Sequence, residues 1–180
     1  MSRPQPALPG KLVIGVFLKE KALLEKVAEA LSKKFGKIEM ISPWFDFDFT
    51  DYYASEMGGP LFRRMLVFQE LIEQEWLAQC KLQTNALEMT YSKGPQRSVN
   101  IDPGYLLHER FVLATGKNYS HRIYIGHGIY ADLTLIYRDG DFQSLPWTYP
   151  DYSAEPMRRF LIQVRNKYAL NIKTGKSFMK

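Results

Sequence analysis

The chain has 180 residues, enough for one well-buried core but short for two ordinary domains. Hydrophobic residues make up 46% of it and charged residues 24%, a balance that excludes wholesale disorder. The formal net charge of +5 permits an anionic partner such as a nucleotide, a phosphate or nucleic acid, but does not require one.

The cysteine count and the terminal segments bear on localisation. A single cysteine, Cys80, excludes an internal disulfide and a cysteine-based zinc site, and it favours a reducing compartment. The opening MSRPQPALPG lacks the apolar run of a signal peptide, and no stretch approaches the roughly 20 apolar residues of a membrane span. We therefore predict a cytoplasmic protein with a flexible leader at 1–10, one domain at 11–172 and a basic tail at 173–180.

The first half of the chain alternates between strand and helix patterns. KLVIGVFL (11–18) is an apolar, β-branched run that predicts a buried strand, and the helical spacing from Leu23 to Leu31 predicts an amphipathic helix ending near Gly36. KIEMIS (37–42) predicts a second strand. FDFDF (45–49) alternates with a period of two, which predicts a strand with one apolar and one acidic face.

The pattern continues after the loop signal GGP. Residues 63–69 predict a strand, although a helix also fits, and helical spacing runs from Glu73 to about residue 92. RSVNI (97–101) predicts another strand, and Pro103-Gly104 predicts a turn directly after it. This order predicts an α+β fold, a ferredoxin-like split βαβ sandwich (β-α-β-β-α-β) with two helices on one face of an antiparallel sheet.

The last third extends this unit. HRIYIGHG and IYADLTLIY predict a hairpin around the GHG turn, and Asp139-Gly140 predicts a second hairpin with FQSL. A final amphipathic helix is predicted from Met157 to Tyr168, with Ser153 as its cap. The fold is thus expected to carry a C-terminal hairpin or meander and a final helix.

An acidic segment, DFDFTDYYASE, is the candidate metal site. Its carboxylates could hold a hard divalent cation such as Mg²⁺ or Ca²⁺, although the spacing is not that of an EF-hand. A solvated strand face followed by a loop explains the same alternation. The candidate ligands are Asp46, Asp48, Asp51 and Glu56, and Tyr53 is a candidate ligand-binding residue.

Segment 100–137 is unusually rich in hydrogen-bonding side chains for a strand-forming stretch. In NIDPGYL, Asp102 could serve a site or only cap the predicted turn. Arg122 could anchor an anion or pair with Asp132 across the hairpin, and His121 is the usual type of proton carrier. The candidate residues are Asp102 and His121 for catalysis, and Asn100, Tyr105, Arg122, Tyr130 and Asp132 for ligand binding.

Two further observations on the sequence concern the kind of site that the chain could form. LPWTYPDY (145–152) predicts a stiff, extended segment, either a strap across the sheet or one wall of an aromatic pocket. The chain has no complete P-loop, no G-x-G-x-x-G, no H-E-x-x-H, no G-x-S-x-G and no RNA-recognition aromatic pattern. No single motif names a reaction.

Four segments together resemble a bacterial family known as domain of unknown function 4416. They are FDFTDYYASEMG, NIDPGYL, KNYSHRIYIGHGIYAD and LPWTYPDY, and the similarity runs from Lys11 to about Tyr168. Some members of that family carry a GTP-binding label. The resemblance implies the position of a site more than a reaction.

The resulting hypothesis is that the candidate residues border one polar, tyrosine-rich pocket. It would bind an anionic or nucleotide-like small molecule, with or without a divalent ion, and the sequence leaves open whether the protein is an enzyme. The alternatives are a non-enzymatic module that binds RNA or a protein through an aromatic, basic surface, and an assembly subunit whose polar face is a dimer contact. No membrane partner is expected, and a homo-oligomer is compatible with the sequence.

Overall fold

The computed structural model of the protein describes residues 3–47, 61–93 and 96–175, except the side chains of residues 46, 47, 93 and 96. The described strands are β1 Gly10–Leu18, β2 Ile38–Ile41, β3 Phe45–Phe47, β4 Leu61–Ile72, β5 Ser92–Lys93, β6 Gln96–Arg97, β7 Val99–Leu106, β8 Arg110–Thr115, β9 Arg122–Gly126, β10 Ile129–Arg138 and β11 Asp141–Ser144. The described helices are α1 Leu24–Phe35, α2 Leu77–Thr90, α3 Pro150–Ser153 and α4 Glu155–Thr174, with short 3₁₀ turns at Lys21–Leu23 and Gln74–Trp76.

Nine of these strands form one sheet, and every strand pair in the described ranges is antiparallel. The order is β11-β10-β8-β7-β1-β4-β2, with β3 also paired to β4 and β9 also paired to β10. Strand β1 lies inside the sheet and all nine of its residues are buried, as its apolar run predicts. The α+β class is therefore confirmed. The order of this larger sheet differs from that of a four-stranded ferredoxin-like sandwich, because β8, β10 and β11 continue it beyond β7.

The predicted helices form, and they cover the sheet. Helix α1 buries Val27, Leu31 and Phe35, and the Phe35 ring meets Phe68 of β4 edge-on at 5.9 Å. The helix ends at Gly36, whose φ of +84° favours glycine. The described residues contain no helix that is both long enough and apolar enough to cross a membrane.

The predicted cap of the final helix is wrong. Helix α4 starts at Glu155, with Ala154 at the N-cap and no side-chain cap. Ser153 ends the short helix α3 instead, and its hydroxyl accepts a hydrogen bond from that of Ser144 at 2.9 Å.

Both predicted hairpins are present. His127 lies between Gly126 and Gly128 in the β9–β10 turn with a positive φ of 55°, and Asp139 adopts a φ of 53° in the β10–β11 turn. These turn residues have the left-handed conformations that short hairpins require.

The predicted turn at Pro103-Gly104 is wrong, because β7 runs straight through both residues to Leu106. Alternate residues of a strand point their backbone groups to the same side. The N–H position of Pro103, like the backbone groups of Ile101, therefore points toward β8 and not toward β1. Pairing with β8 starts only at Gly104, so the missing N–H of Pro103 interrupts no ladder. Gly104 is required by the close approach of β8, since a Cβ there would lie 2.5 Å from the Val112 carbonyl oxygen.

Candidate functional site

The sheet splits between β7 and β8. The two strands pair only over Gly104–Leu106 and Phe111–Leu113, whereas the preceding part of β7 pairs with β1 alone. A cavity of about 530 Å³ opens at this split. Its lining residues are Phe17, Lys81, Asn85, Arg97, Asn100, Asp102, Leu113, Ala114, Thr115, Gly116, Lys117, Arg122, Asp132, Tyr149, Asp151 and Tyr152.

Side chains of helix α2 bind the strand backbone that the split leaves without a partner. The Lys81 ammonium donates to the Ile101 carbonyl at 2.9 Å, and the Ile101 N–H donates to the Glu88 carboxylate at 2.6 Å. Both side chains are buried. They satisfy the two backbone groups that a neighbouring strand would otherwise satisfy, which a buried strand requires.

Asp102 and Asn100 belong to the same network. Lys81 donates to one Asp102 oxygen at 3.1 Å, and the Asn100 amide donates to the other at 2.7 Å. Arg97 donates to Asn100 at 3.2 Å and to Glu88 at 3.0 Å. Asp102 therefore faces the cavity as part of a charged network, and the alternative role of capping a turn is excluded because there is no turn.

Burial dominates the electrostatics of Glu88. Loss of hydration raises the pKa of its carboxyl above the ordinary value, while Lys81, the Ile101 N–H and Arg97 oppose that rise. Two basic neighbours are thus insufficient to offset the cost of burying this charge.

The β9–β10 hairpin forms the opposite side of the cavity. Arg122 lies directly across from Asp132 in the ladder, and its Nε donates to the Asp132 carboxylate at 2.8 Å. Its two Nη atoms donate to the Lys117 carbonyl at 3.0 Å and to the Tyr149 hydroxyl at 2.9 Å. Burial would lower the pKa of Arg122, but the bonds to Asp132 and Tyr149 raise it overall. The cross-strand pair is therefore real, and both of its members also line the cavity.

His121 lies behind this pair. Its Nε2 is 3.3 Å from the Asp132 carboxylate, and its ring stacks on Trp147 at 4.8 Å with an angle of 10° between the planes. It does not line the cavity. The two residues predicted to transfer protons, Asp102 and His121, therefore have different partners.

The remaining predicted residues divide into two groups. Tyr105 packs over Gly10 and Tyr130 meets the Tyr124 ring edge-on at 5.3 Å, and neither lines the cavity. Asp48, Asp51, Tyr53 and Glu56, and the side chain of Asp46, lie outside the described residues. Among the residues that are described, no group of three or more histidine, cysteine, aspartate or glutamate side chains could hold a metal ion.

Sequence reasoning missed the side chains that the helices contribute. Lys81 and Glu88 interrupt the buried face of α2, which also holds Leu77 and Thr84. Charged residues on the buried face of a helix are rare unless paired, so a helical projection would have marked them. Asp151 and Tyr152 also line the cavity, and they come from the segment LPWTYPDY. That segment is not extended throughout as predicted, because Pro150–Ser153 form the short helix α3.

One buried arginine lies beside the cavity. Arg63 of β4 forms an ion pair with Asp151, and its guanidinium lies 4.7 Å from the Phe17 ring and 4.0 Å from the Tyr152 ring. Burial raises the pKa of the Asp151 carboxyl, and Arg63 opposes that rise. All three contacts of Arg63 are with residues that line the cavity.

The family model described as Domain of unknown function (DUF4416) matches residues 8–168. The chain belongs to this family. The cavity and all of its lining residues fall within the matched range, as the resemblance of the four segments implies. The searches of curated proteins and of solved structures gave no match.

Proposed function

We propose that this family member binds an anionic or nucleotide-like small molecule in the cavity between β7 and β8. The observation that carries the proposal is that four basic residues line one cavity: Lys81, Arg97, Lys117 and Arg122. Its volume of about 530 Å³ falls within the roughly 300–1,000 Å³ of small-molecule sites. Arginine and lysine side chains are suited to carboxylate and phosphate groups.

The other lining groups suit the neutral part of such a ligand. Asn85 and Asn100 offer amide donors and acceptors, while Phe17 and Tyr149 offer ring surface. Three acids also line the cavity, and each has a basic partner: Asp102 with Lys81, Asp132 with Arg122, and Asp151 with Arg63. These ion pairs reduce the repulsion that an anion would otherwise meet.

The proposed roles in catalysis and metal binding stay predictions. Asp102 is the better placed candidate for proton transfer, since it lines the cavity, while His121 would act on the ligand only through Asp132. A divalent ion, if the reaction uses one, would be held by the acidic segment at 46–56.

A screen followed by calorimetry tests the proposal. A compound that binds the native state raises the melting temperature, so inorganic phosphate, ribose 5-phosphate, AMP and GTP would be screened with and without Mg²⁺. Lys117 is exposed, so Lys117→Ala should fold normally and weaken the binding of the best probe about tenfold. Lys173→Ala, an exposed lysine on α4, is the matched control. The proposal is wrong if no probe shifts the melting temperature, or if Lys117→Ala binds as tightly as the control.

An RNA- or protein-binding module is the second candidate, supported by a specific observation. Ile123 is 71% exposed and Tyr124 is 59% exposed on β9, and Tyr119, Trp147 and Tyr149 are also exposed nearby. Exposed aromatic side chains suit base stacking or protein contacts. Binding of a single-stranded RNA should weaken steeply as salt is added, because phosphate contacts release counterions. Binding that is insensitive to salt would exclude the RNA version.

The fold type and the cellular location are also proposals. We propose that β1, α1, β2, β4, α2 and β7 form a ferredoxin-like split βαβ unit, which the antiparallel order β7-β1-β4-β2 supports. We also propose a cytoplasmic location, supported by the single, buried cysteine, Cys80.

A further inference from the structure

Two polar side chains, one beside the cavity and one lining it, have hydrogen-bond donors without acceptors among the described residues. Arg63 is fully buried, and its Nη1 binds Asp151. Its Nε and Nη2 have no hydrogen-bond partner among the described residues, and neither has the hydroxyl of Tyr152, which is 3% exposed. Leaving a buried donor without a partner costs free energy, so such groups call for an explanation.

The two groups converge on the same small space, beside Gly15 of β1. A Cβ built on Gly15 would lie 3.5 Å from Arg63 Nη2, 3.5 Å from the Tyr152 hydroxyl and 3.4 Å from Met65 Sδ. A side chain added at Gly15 would therefore point at both donors and make ordinary van der Waals contact with all three atoms. Gly15 is also the direct ladder partner of Asp102, which lines the cavity, so this space adjoins it.

Three neighbouring side chains hold the Arg63 guanidinium in place. The rings of Phe17 and Tyr152 lie 4.7 Å and 4.0 Å from it, and Asp151 fixes one of its nitrogens. The nearest acids are already engaged, since both oxygens of Asp102 accept hydrogen bonds from Lys81 and Asn100. The donors that remain are those of Arg63 and Tyr152.

We propose that the cavity has an oxyanion subsite, in which Arg63 Nη2 and the Tyr152 hydroxyl bind one oxygen of a carboxylate or phosphate group beside Gly15. This inference rests on the proposed function and deepens it by naming the anchor of the ligand. An arginine nitrogen and a phenol both donate, and charge-assisted bonds to a carboxylate or phosphate oxygen are the strong ones. The rest of the anionic group would lie in the cavity, which Tyr152 also lines.

The glycine provides the first test. In the full chain, Gly15→Ala adds a methyl group 3.5 Å from both donors, at distances that the fold tolerates, and this group would obstruct an oxygen bound between them. Binding of inorganic phosphate and of acetate, measured by calorimetry, should weaken at least about tenfold for whichever anion the subsite prefers. Lys173→Ala is the control, because Lys173 is exposed on α4 and does not line the cavity. This control should bind as the unaltered protein does.

The tyrosine provides an independent test that separates binding from a structural role. Because the Tyr152 hydroxyl has no hydrogen-bond partner in the described part of the chain, Tyr152→Phe should leave the melting temperature unchanged or raise it. It should nevertheless weaken binding of the preferred anion about tenfold. A structural role would give the reverse, with a lower melting temperature and unaltered binding.

The outcomes separate this inference from the proposed function. If Lys117→Ala weakens binding but Gly15→Ala and Tyr152→Phe bind phosphate and acetate normally, the oxyanion subsite is wrong and the cavity proposal stands. If the unaltered protein binds neither these anions nor any phosphorylated probe, both proposals are wrong.

Discussion

Glu88 accepts the backbone N–H of Ile101 at 2.6 Å, so a helix side chain binds a strand at the position where the sheet opens. Lys81, two turns earlier on the same helix, binds the carbonyl of the same residue. The cavity is therefore not a gap left by poor packing. It exists because α2 supplies the hydrogen bonds that would otherwise require β8 to continue alongside β7.

Removing this carboxylate should destabilise the protein strongly. Glu88→Ala leaves the Ile101 N–H without an acceptor and takes a partner from Lys81 and Arg97. We expect a fall of about 3 kcal/mol in the free energy of unfolding, measured by urea denaturation. Glu29→Ala, which breaks an exposed pair with Lys33, should have little effect. Equal losses in the two variants would contradict the role assigned to Glu88.

The same carboxyl predicts a dependence of stability on pH. Burial raises its pKa in the folded protein above the ordinary 4.5, so over the interval between the two values the native state binds more protons than the unfolded state. Stability contributed by Glu88 is then full below pH 4.5 and falls as pH rises through the raised pKa. Glu88→Gln cannot titrate, so its free energy of unfolding should fall less over that interval than that of the unaltered protein. Parallel urea-denaturation profiles from pH 4.5 to neutrality would show that another group is responsible.

The pairing of β7 with β8, which closes the split at Gly104, depends on the absence of a side chain at that residue. A Cβ on Gly104 would lie 2.5 Å from the Val112 carbonyl oxygen and 2.9 Å from the Leu113 side chain, so β7 and β8 would have to separate. We expect Gly104→Ala to lower the free energy of unfolding by about 1–3 kcal/mol. Thermal denaturation beside Gly116→Ala, whose Cβ meets nothing, measures the difference. A Gly104 variant as stable as this control would contradict the proposed closure.

Local patterns predicted the elements that depend on local physics. The apolar run at 11–18 formed β1, helical spacing formed α1, and the glycines around His127 formed a hairpin turn. Strand β8 was missed, although RFVLAT is apolar. Pro103-Gly104 misled because two tertiary features leave no local pattern. The split between β7 and β8 makes the missing N–H of Pro103 harmless, and the close approach of β8 excludes a side chain at residue 104.

Local patterns also predicted only part of the candidate site. Asn100, Asp102, Arg122 and Asp132 were predicted to share a pocket, and all four line the cavity. They could be found because polar side chains on predicted strands stand out. Lys81 of α2 and the buried Arg63 could not be assigned to the site without knowing which helix covers the split. Tyr105 and Tyr130 do not line the cavity. The prediction included them because residue type alone does not show at which end of a strand a side chain lies.

The stability of the protein should fall even when Arg122 is replaced by lysine. Its guanidinium donates to Asp132, to the Lys117 carbonyl and to the Tyr149 hydroxyl, and no single ammonium can reach all three directions. We expect Arg122→Lys to lower the free energy of unfolding by about 1–2 kcal/mol and to speed amide hydrogen exchange in 117–122. Arg138→Lys, whose side chain is 72% exposed, provides the matched control and should leave both quantities unaltered. Unchanged exchange in Arg122→Lys would mean that charge alone, rather than the planar fork, holds the hairpin against the cavity.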